Sequence, residues 1–250
     1  MYVDTHCHIT SDDYDDIPKL IDEIYKSGVE KIIVNGCDMK SNLQVLELIK
    51  EYDIVYGAIG FHPTELEEFD DSYFEWLENH INDDKIVAIG EIGLDYHYED
   101  TDKKKQQIVF KRQLDIASKY NKPVIIHCRD AIQDTYNILS NYHLSGSLHC
   151  FSGSLEMALE FIKLGYLIGI GGVCTFKNSK NIKKVIENID LEYIVLETDS
   201  PYLTPEPFRM EKNSSKNIPI IAKKIAEIKD TNVDKVAKIT TENADRCFFR

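Results

Sequence analysis

Eight short apolar runs recur along this 250-residue chain, at 2–7, 31–35, 55–60, 86–91, 124–128, 146–151, 166–170 and 193–197. Longer segments with apolar residues at helical spacing separate them. Ile17, Leu20, Ile21 and Ile24 form one such stripe, and Val109, Phe110, Leu114 and Ala117 another. Strands alternating with helices make βαβ units, which assemble into parallel sheets. Eight units in 250 residues match a closed (β/α)8 TIM barrel in count and length. A doubly wound open sheet fits less well, because it normally carries fewer strands or a second domain. The expectation is an α/β chain forming one barrel domain over residues 1–250. Val233–Phe248 would be a last helix outside or beneath it.

Composition narrows the function classes. With 43% hydrophobic residues the chain can bury a sizeable core, yet no apolar run approaches the roughly 18 residues that span a bilayer. The N-terminal segment lacks the basic and apolar regions of a secretory signal. Six widely spaced cysteines with no CxxC pair read as buried reduced thiols, and the expected location is the cytoplasm. A formal charge of −14 opposes a general nucleic-acid-coating role. It still permits a local phosphate site whose positive charge comes from bound ions.

Metal-competent side chains fall where such a barrel needs them. His6 and His8 end the first run, and residues two apart on a strand point the same way. Glu91 closes the fourth run, where a carboxylate is costly to desolvate unless paired or metal-bound. His127 ends the fifth run, His149 lies in the sixth, and Asp199 follows the eighth. Taken singly, Glu91 could be salt-bridged, His127 and His149 core histidines, and Asp199 a turn cap. Taken together, six such residues at strand ends converge on the catalytic face of a barrel. Four imidazoles and two carboxylates suit two divalent ions sharing a carboxylate, with magnesium, manganese or zinc as candidates.

At this point the chain resembles the TatD family of metal-dependent deoxyribonucleases and hydrolases, within the amidohydrolase-like barrels. The matching stretches are Asp4-Thr-His-Cys-His8, Gly60-Phe-His-Pro63, Gly90-Glu-Ile-Gly-Leu-Asp95, Pro123-Val-Ile-Ile-His-Cys-Arg-Asp-Ala131, His149-Cys-Phe-Ser-Gly153 and Glu197-Thr-Asp-Ser-Pro-Tyr-Leu203. The resemblance implies one ion among His6, His8, Glu91 and Asp199, and a second among Glu91, His127 and His149. It also implies phosphodiester hydrolysis, in some members from the three-prime end of DNA or RNA. One stretch departs from the family pattern: Met210 stands in place of a glycine and Ser215 in place of a proline. The shape of loop 204–216, the least structured part of the pattern, and its fit to substrate are therefore expected to be this chain's own.

Candidate substrate contacts are Arg129, His62 and Arg209. Arg129 could instead pair with Asp130 or Glu91, His62 could cap a loop, and Arg209 could be a solvated charge on a mobile-looking loop. Tyr96 and Phe151 could stack on a base, though packing is the better reading of Phe151. Lys103, Lys104 and Lys105 read as a solvated helix entry. Nothing resembles a sequence-specific DNA-reading motif, and a monomer is the expectation. In the favoured reading Asp199 orients the attacking water and takes its proton, with Glu91 as the second catalytic carboxylate. The alternatives are ester or amide hydrolysis on the same ions, or a metal-binding scaffold without turnover. Glu91, where many amidohydrolases place a modified lysine, tilts the choice toward phosphoesters.

Overall fold

The computed structural model describes residues 1–67 and 69–249. Eight parallel strands, β1 Tyr2–Cys7, β2 Val29–Asn35, β3 Val55–Ile59, β4 Ile86–Asp95, β5 Val124–Arg129, β6 Gly146–Leu148, β7 Tyr166–Ile170 and β8 Ile194–Leu196, pair in chain order. The intervening helices are α1 Ile17–Lys26, α2 Met39–Glu51, α3 Ser72–His80, α4 Lys103–Tyr120, α5 Ile132–Leu139, α6 Leu155–Lys163 and α7 Lys180–Asn188. Two more, α8 Ile218–Ile228 and α9 Val233–Phe248, follow β8. The expected TIM barrel is the fold observed. Local chemistry sets its joints. Asp38 accepts from Ser41 N (2.7 Å) while Asp38 N donates to Ser41 Oγ (3.0 Å), a reciprocal cap that starts α2 beside the barrel mouth.

The interior splits into two apolar bodies. Helix faces pack on the outside of the strands, with Ile24, Leu77, Phe110 and Phe161 fully buried there. Inside the barrel, Val3, Ile33, Ala58, Ala88, Ile125, Leu167 and Val195 meet Ala244, Cys247 and Phe248 of α9. The last helix therefore plugs the N-terminal end, leaving the C-terminal end for chemistry.

The seam between β8 and β1 is closed by side-chain and backbone hydrogen bonds together. Thr5 Oγ1 donates to Leu196 O (3.0 Å), Thr198 Oγ1 to Asp4 Oδ2 (2.6 Å) and Asp199 N to His6 O (3.0 Å). Burial pushes the Asp4 carboxyl up to about 6 although it accepts from Thr198 Oγ1 and His6 N.

Several boundaries differ from expectation. β4 continues past Glu91 to Asp95, while β6 stops before His149 and β8 three residues before Asp199. The last two donors thus sit on loops, and Asp199 (φ 54°) takes the left-handed conformation that Asp tolerates better than most residues. Nor is loop 204–216 loose. Fully buried Asn213 donates from Nδ2 to Thr198 O (2.9 Å) and Tyr202 O (2.6 Å), and its Oδ1 accepts from Asn217 Nδ2 (2.8 Å). Tyr14 Oη donates to Asn213 O (2.7 Å), tying the loop to the start of the chain. Met210 is 98% exposed, whereas Ser215 is buried at the start of a short 3-10 turn.

Gly93 has φ +149°, and a Cβ there would lie 2.0 Å from His127 O on the neighbouring strand. Gly93→Ala combines strain with a backbone clash, and is expected to cost at least about 2 kcal/mol, several degrees in Tm. Thermal unfolding of the purified variant checks this; an unchanged Tm would contradict the packing described.

Candidate metal centre

β1 and β4 each break the alternation of faces, and that break builds the site. Val3 lies in the barrel interior but Cys7 in the outer core, with a register shift between Asp4 and Cys7. Strict alternation would put both on one face. Likewise Ala88 faces inward while Ile92 and Leu94 pack outward, with a shift between Ile89 and Ile92. These slips turn His6, His8, Glu91 and Asp95 into the barrel. Glu91 N donates to Gly36 O (2.9 Å), which holds the slipped segment of β4 against the end of β2.

Four donor atoms then gather around one point. His6 Nε2 lies 3.2 Å from His8 Nε2, 3.3 Å from Glu91 Oε2 and 3.5 Å from Asp199 Oδ1. His8 Nε2 lies 3.4 Å from Glu91 Oε2 and 3.6 Å from Asp199 Oδ1. A tetrahedral ion with bonds of about 2.0–2.1 Å has donor–donor edges of about 3.3–3.4 Å, close to these five separations, so the group is a candidate to hold one ion. Glu91 Oε1 faces a second group, 2.9 Å from His127 Nδ1 and 2.8 Å from His149 Nε2, which are 3.1 Å apart. This group could supply three donors and leave further positions open. All six residues predicted as metal donors are therefore brought together.

Outer hydrogen bonds decide which ring nitrogens are free. His8 Nδ1 donates to Asn35 O (2.9 Å), since a carbonyl can only accept, so His8 Nε2 offers its lone pair. His127 Nε2 donates to Asp95 Oδ2 (3.0 Å), so once the ring is neutral its lone pair is on Nδ1. His62 is arranged the other way. Thr64 N donates to His62 Nδ1 (3.2 Å), which puts the neutral ring's proton on Nε2, 3.4 Å from Glu91 Oε1. His62 therefore faces the cluster as a donor rather than as a ligand, while Thr64 also ties it to its loop.

The cluster attracts cations. Burial pulls His6 down, but Glu91 and Asp199 outweigh it and hold the imidazole up at about 9. Burial of His127 is likewise overcome by Asp95 and Glu91, again to about 9. Burial pushes the Glu91 and Asp199 carboxyls up, yet the surrounding imidazoles hold both well below the ordinary range. His149 is driven down to about 4 by burial and by His6, whose ring stacks on it at 3.9 Å.

The rim differs more from expectation. Arg129 Nη1 lies 4.0 Å from Asp95, not beside Asp130 or Glu91, and its guanidinium sits over Tyr98 at 5.8 Å. Asp130 pairs with His97 instead (3.0 Å). Arg209 is exposed and lies over the Phe176 ring at 3.7 Å. Tyr96 donates to Asp134 (3.0 Å) beneath Lys103, Phe151 is buried, and Lys105 donates to Leu66 O. Cys7, Cys174 and Cys247 are buried as expected, but Cys37, Cys128 and Cys150 are only partly buried, and Cys37 Sγ approaches Glu91 Oε2 at 3.7 Å.

Asp95, Cys37, Asp4, Thr198 and Glu197 carry structural parts that sequence reasoning left unassigned. Asp95 carried a usable signal, because a carboxylate ending an apolar run raises the same desolvation problem as Glu91. Glu197 did too, standing two residues before Asp199 in the strand-end motif. Nothing in the spacing marked Cys37.

A protein of Bacillus subtilis named as the uncharacterized metal-dependent hydrolase YabD is 40% identical over 252 residues, covering 99% of each chain. The crystal structure of YjjV, a TatD homologue from Escherichia coli, superposes with a TM-score of 0.94 at 31% identity, over 100% of this chain and 98% of that one. An uncharacterized amidohydrolase from Saccharomyces cerevisiae shares the fold alone, with a TM-score of 0.83 at 20% identity over 99% of both chains. The family model of TatD-related DNases matches residues 3–249, and the chain belongs to that family.

Proposed function

We propose that this chain is a divalent-metal-dependent phosphodiesterase, a single-domain deoxyribonuclease acting on short or single-stranded DNA from the three-prime end. One observation carries the reading: the two oxygens of Glu91 face two separate donor groups, as a carboxylate shared by two ions would. The family's designation as DNases and the naming of the Bacillus relative as a metal-dependent hydrolase support the class of chemistry. The mixture of imidazole and carboxylate is compatible with zinc or manganese, and with magnesium where oxygen donors and water complete the shell.

Ions held by these residues would polarise a phosphoryl oxygen and acidify a water for attack. The chain supplies the rest. Asp199 keeps Oδ1 toward His6 and His8, leaving Oδ2 to orient the attacking water and accept its proton. His62 Nε2–H and the Arg129 guanidinium donate to phosphate oxygens at the mouth. Arg209, stacked on Phe176, meets the next phosphate along the strand. A chain with a net charge of −14 gains little from general attraction to DNA, so few phosphates are contacted and the salt dependence is shallow.

Glu91→Ala and Asp199→Asn are expected to lower kcat at least ~100-fold while the barrel stays folded. Product lengths from single-stranded oligonucleotides, with magnesium, manganese or zinc supplied in turn, check both turnover and polarity. Near-normal turnover in either variant removes the mechanism. Hydrolysis of carboxylic esters or lactones with no cleavage of any oligonucleotide removes the substrate class.

The site also implies a pH signature. His6 and His127 rise from 6.5 to about 9 in the cation-free fold, so their protonation stabilises it fully below pH 6.5. That contribution is lost as pH rises through about 9. A divalent ion replaces these protons, so its stabilising effect grows across the same window. The Tm difference between zinc-loaded and chelator-treated protein should widen steadily from pH 6.5 to about 9; a constant difference contradicts the proposed ligand set.

A further inference from the structure

Under the metal reading just proposed, each ligating imidazole needs its outer nitrogen satisfied. His127 has Asp95 and His8 has Asn35 O. His149 points Nε2 at Glu91, while its Nδ1 is buried with no hydrogen-bond partner among the described residues. Facing that nitrogen is Glu197 Oε1, at 3.9 Å.

Glu197 is fully buried inside the barrel. Its Oε1 accepts from Cys150 N, the residue after His149, and its Oε2 has no hydrogen-bond partner among the described residues. β7 leaves room for this carboxylate. A Cβ on Gly169 would lie 2.4 Å from Glu197 Oε2, and one on Gly171 would lie 3.6 Å from Glu197 Cγ. A carboxyl enclosed this way is costly to keep unless it meets a donor. Two ligating imidazoles, His6 and His149, have an Nδ1 without a hydrogen-bond partner among the described residues; of these it is His149 Nδ1 that lies 3.9 Å from Glu197 Oε1, and a shift of less than about 1 Å brings the pair to hydrogen-bond distance.

We propose that Glu197 is the positioning residue of His149: it accepts the Nδ1–H bond, presents Nε2 to the ion shared by Glu91 and His127, and sets that ion's affinity. Glu197 would then do for His149 what Asp95 does for His127. It touches neither ion nor substrate, and acts through the imidazole alone.

The test reads cation binding rather than turnover. Zinc or manganese is titrated into chelator-treated protein and each binding event is resolved by calorimetry. Glu197→Gln, close to isosteric, is expected to weaken one of the two events about 10–100-fold and to spare the other. Glu197→Asp keeps the charge but withdraws it by one methylene, and should show the same selective loss. This second variant covers the case in which the first does not fold. In the His149→Ala background the effect of Glu197→Gln should vanish, because the residue has nothing left to position. In zinc-loaded protein the His149 Nδ1–H resonance should move upfield and exchange faster with water in Glu197→Gln.

Unchanged affinities in both variants overturn the proposal. A loss shared equally by both ions, or one that persists without His149, also overturns it, since a diffuse charge effect would behave that way. Wild-type protein that takes up no divalent cation overturns this inference together with the metal reading. Cation uptake without hydrolysis of any oligonucleotide overturns only the phosphodiesterase reading.

Discussion

The charge of Glu91 sets the terms for the catalytic end of the barrel. Its carboxylate is 3% exposed, in a position where an isolated charge would cost several kcal/mol or be neutralised by a proton. It stays ionised because imidazoles surround it: His6 and His8 at one oxygen, His127, His149 and His62 at the other. Three of those imidazoles, His8, His127 and His62, are held in turn by Asn35, Asp95 and the Thr64 backbone. The result is a dense group of opposite charges around two points, the electrostatic arrangement that a pair of divalent ions completes under the proposed function.

Such a group survives only on a rigid frame. α9 fills the N-terminal mouth with Ala244, Cys247 and Phe248, so the apolar plug ends below the polar layer. Asp4 and Thr198 fasten the β8–β1 seam directly beneath His6 and Asp199. Asn213 draws the loop after β8 back onto the same seam through Thr198 O. The donors from the first and last strands thus share one set of buried hydrogen bonds, and moving one strand end moves the other.

The rim offers positive charge sparingly. Arg129 lies over Tyr98 and Arg209 over Phe176, and both guanidinium groups remain exposed at the rim. In an otherwise acidic protein these two groups, together with ions in the centre, would confine attraction for a polyanion to one face. Under the proposed function, this arrangement would suit an enzyme acting on strand ends better than one that coats a duplex.

The barrel was readable from sequence because its cause is local: eight β-rich runs alternating with helical stripes leave few other ways to bury apolar surface. The six clustered donors were readable for a related reason. His6, His8, Glu91, His127, His149 and Asp199 each end or follow an apolar run, and a polar side chain there is expensive unless it has a partner. The phase slips in β1 and β4 were not readable, although they decide that Glu91 rather than Gly90 faces the centre. Strict alternation from Ala88 would have turned Glu91 outward. Such slips depend on neighbouring strands, through Gly36 O beside Glu91 and Gly93 against His127. The partners of the imidazoles were hidden for the same reason. Asp95 lies 32 residues from His127 and Glu197 lies beyond β7 from His149, so only closure of the barrel brings them together. Local periodicity determined which elements form and which residues reach their ends; contacts between distant strands decided which atoms meet.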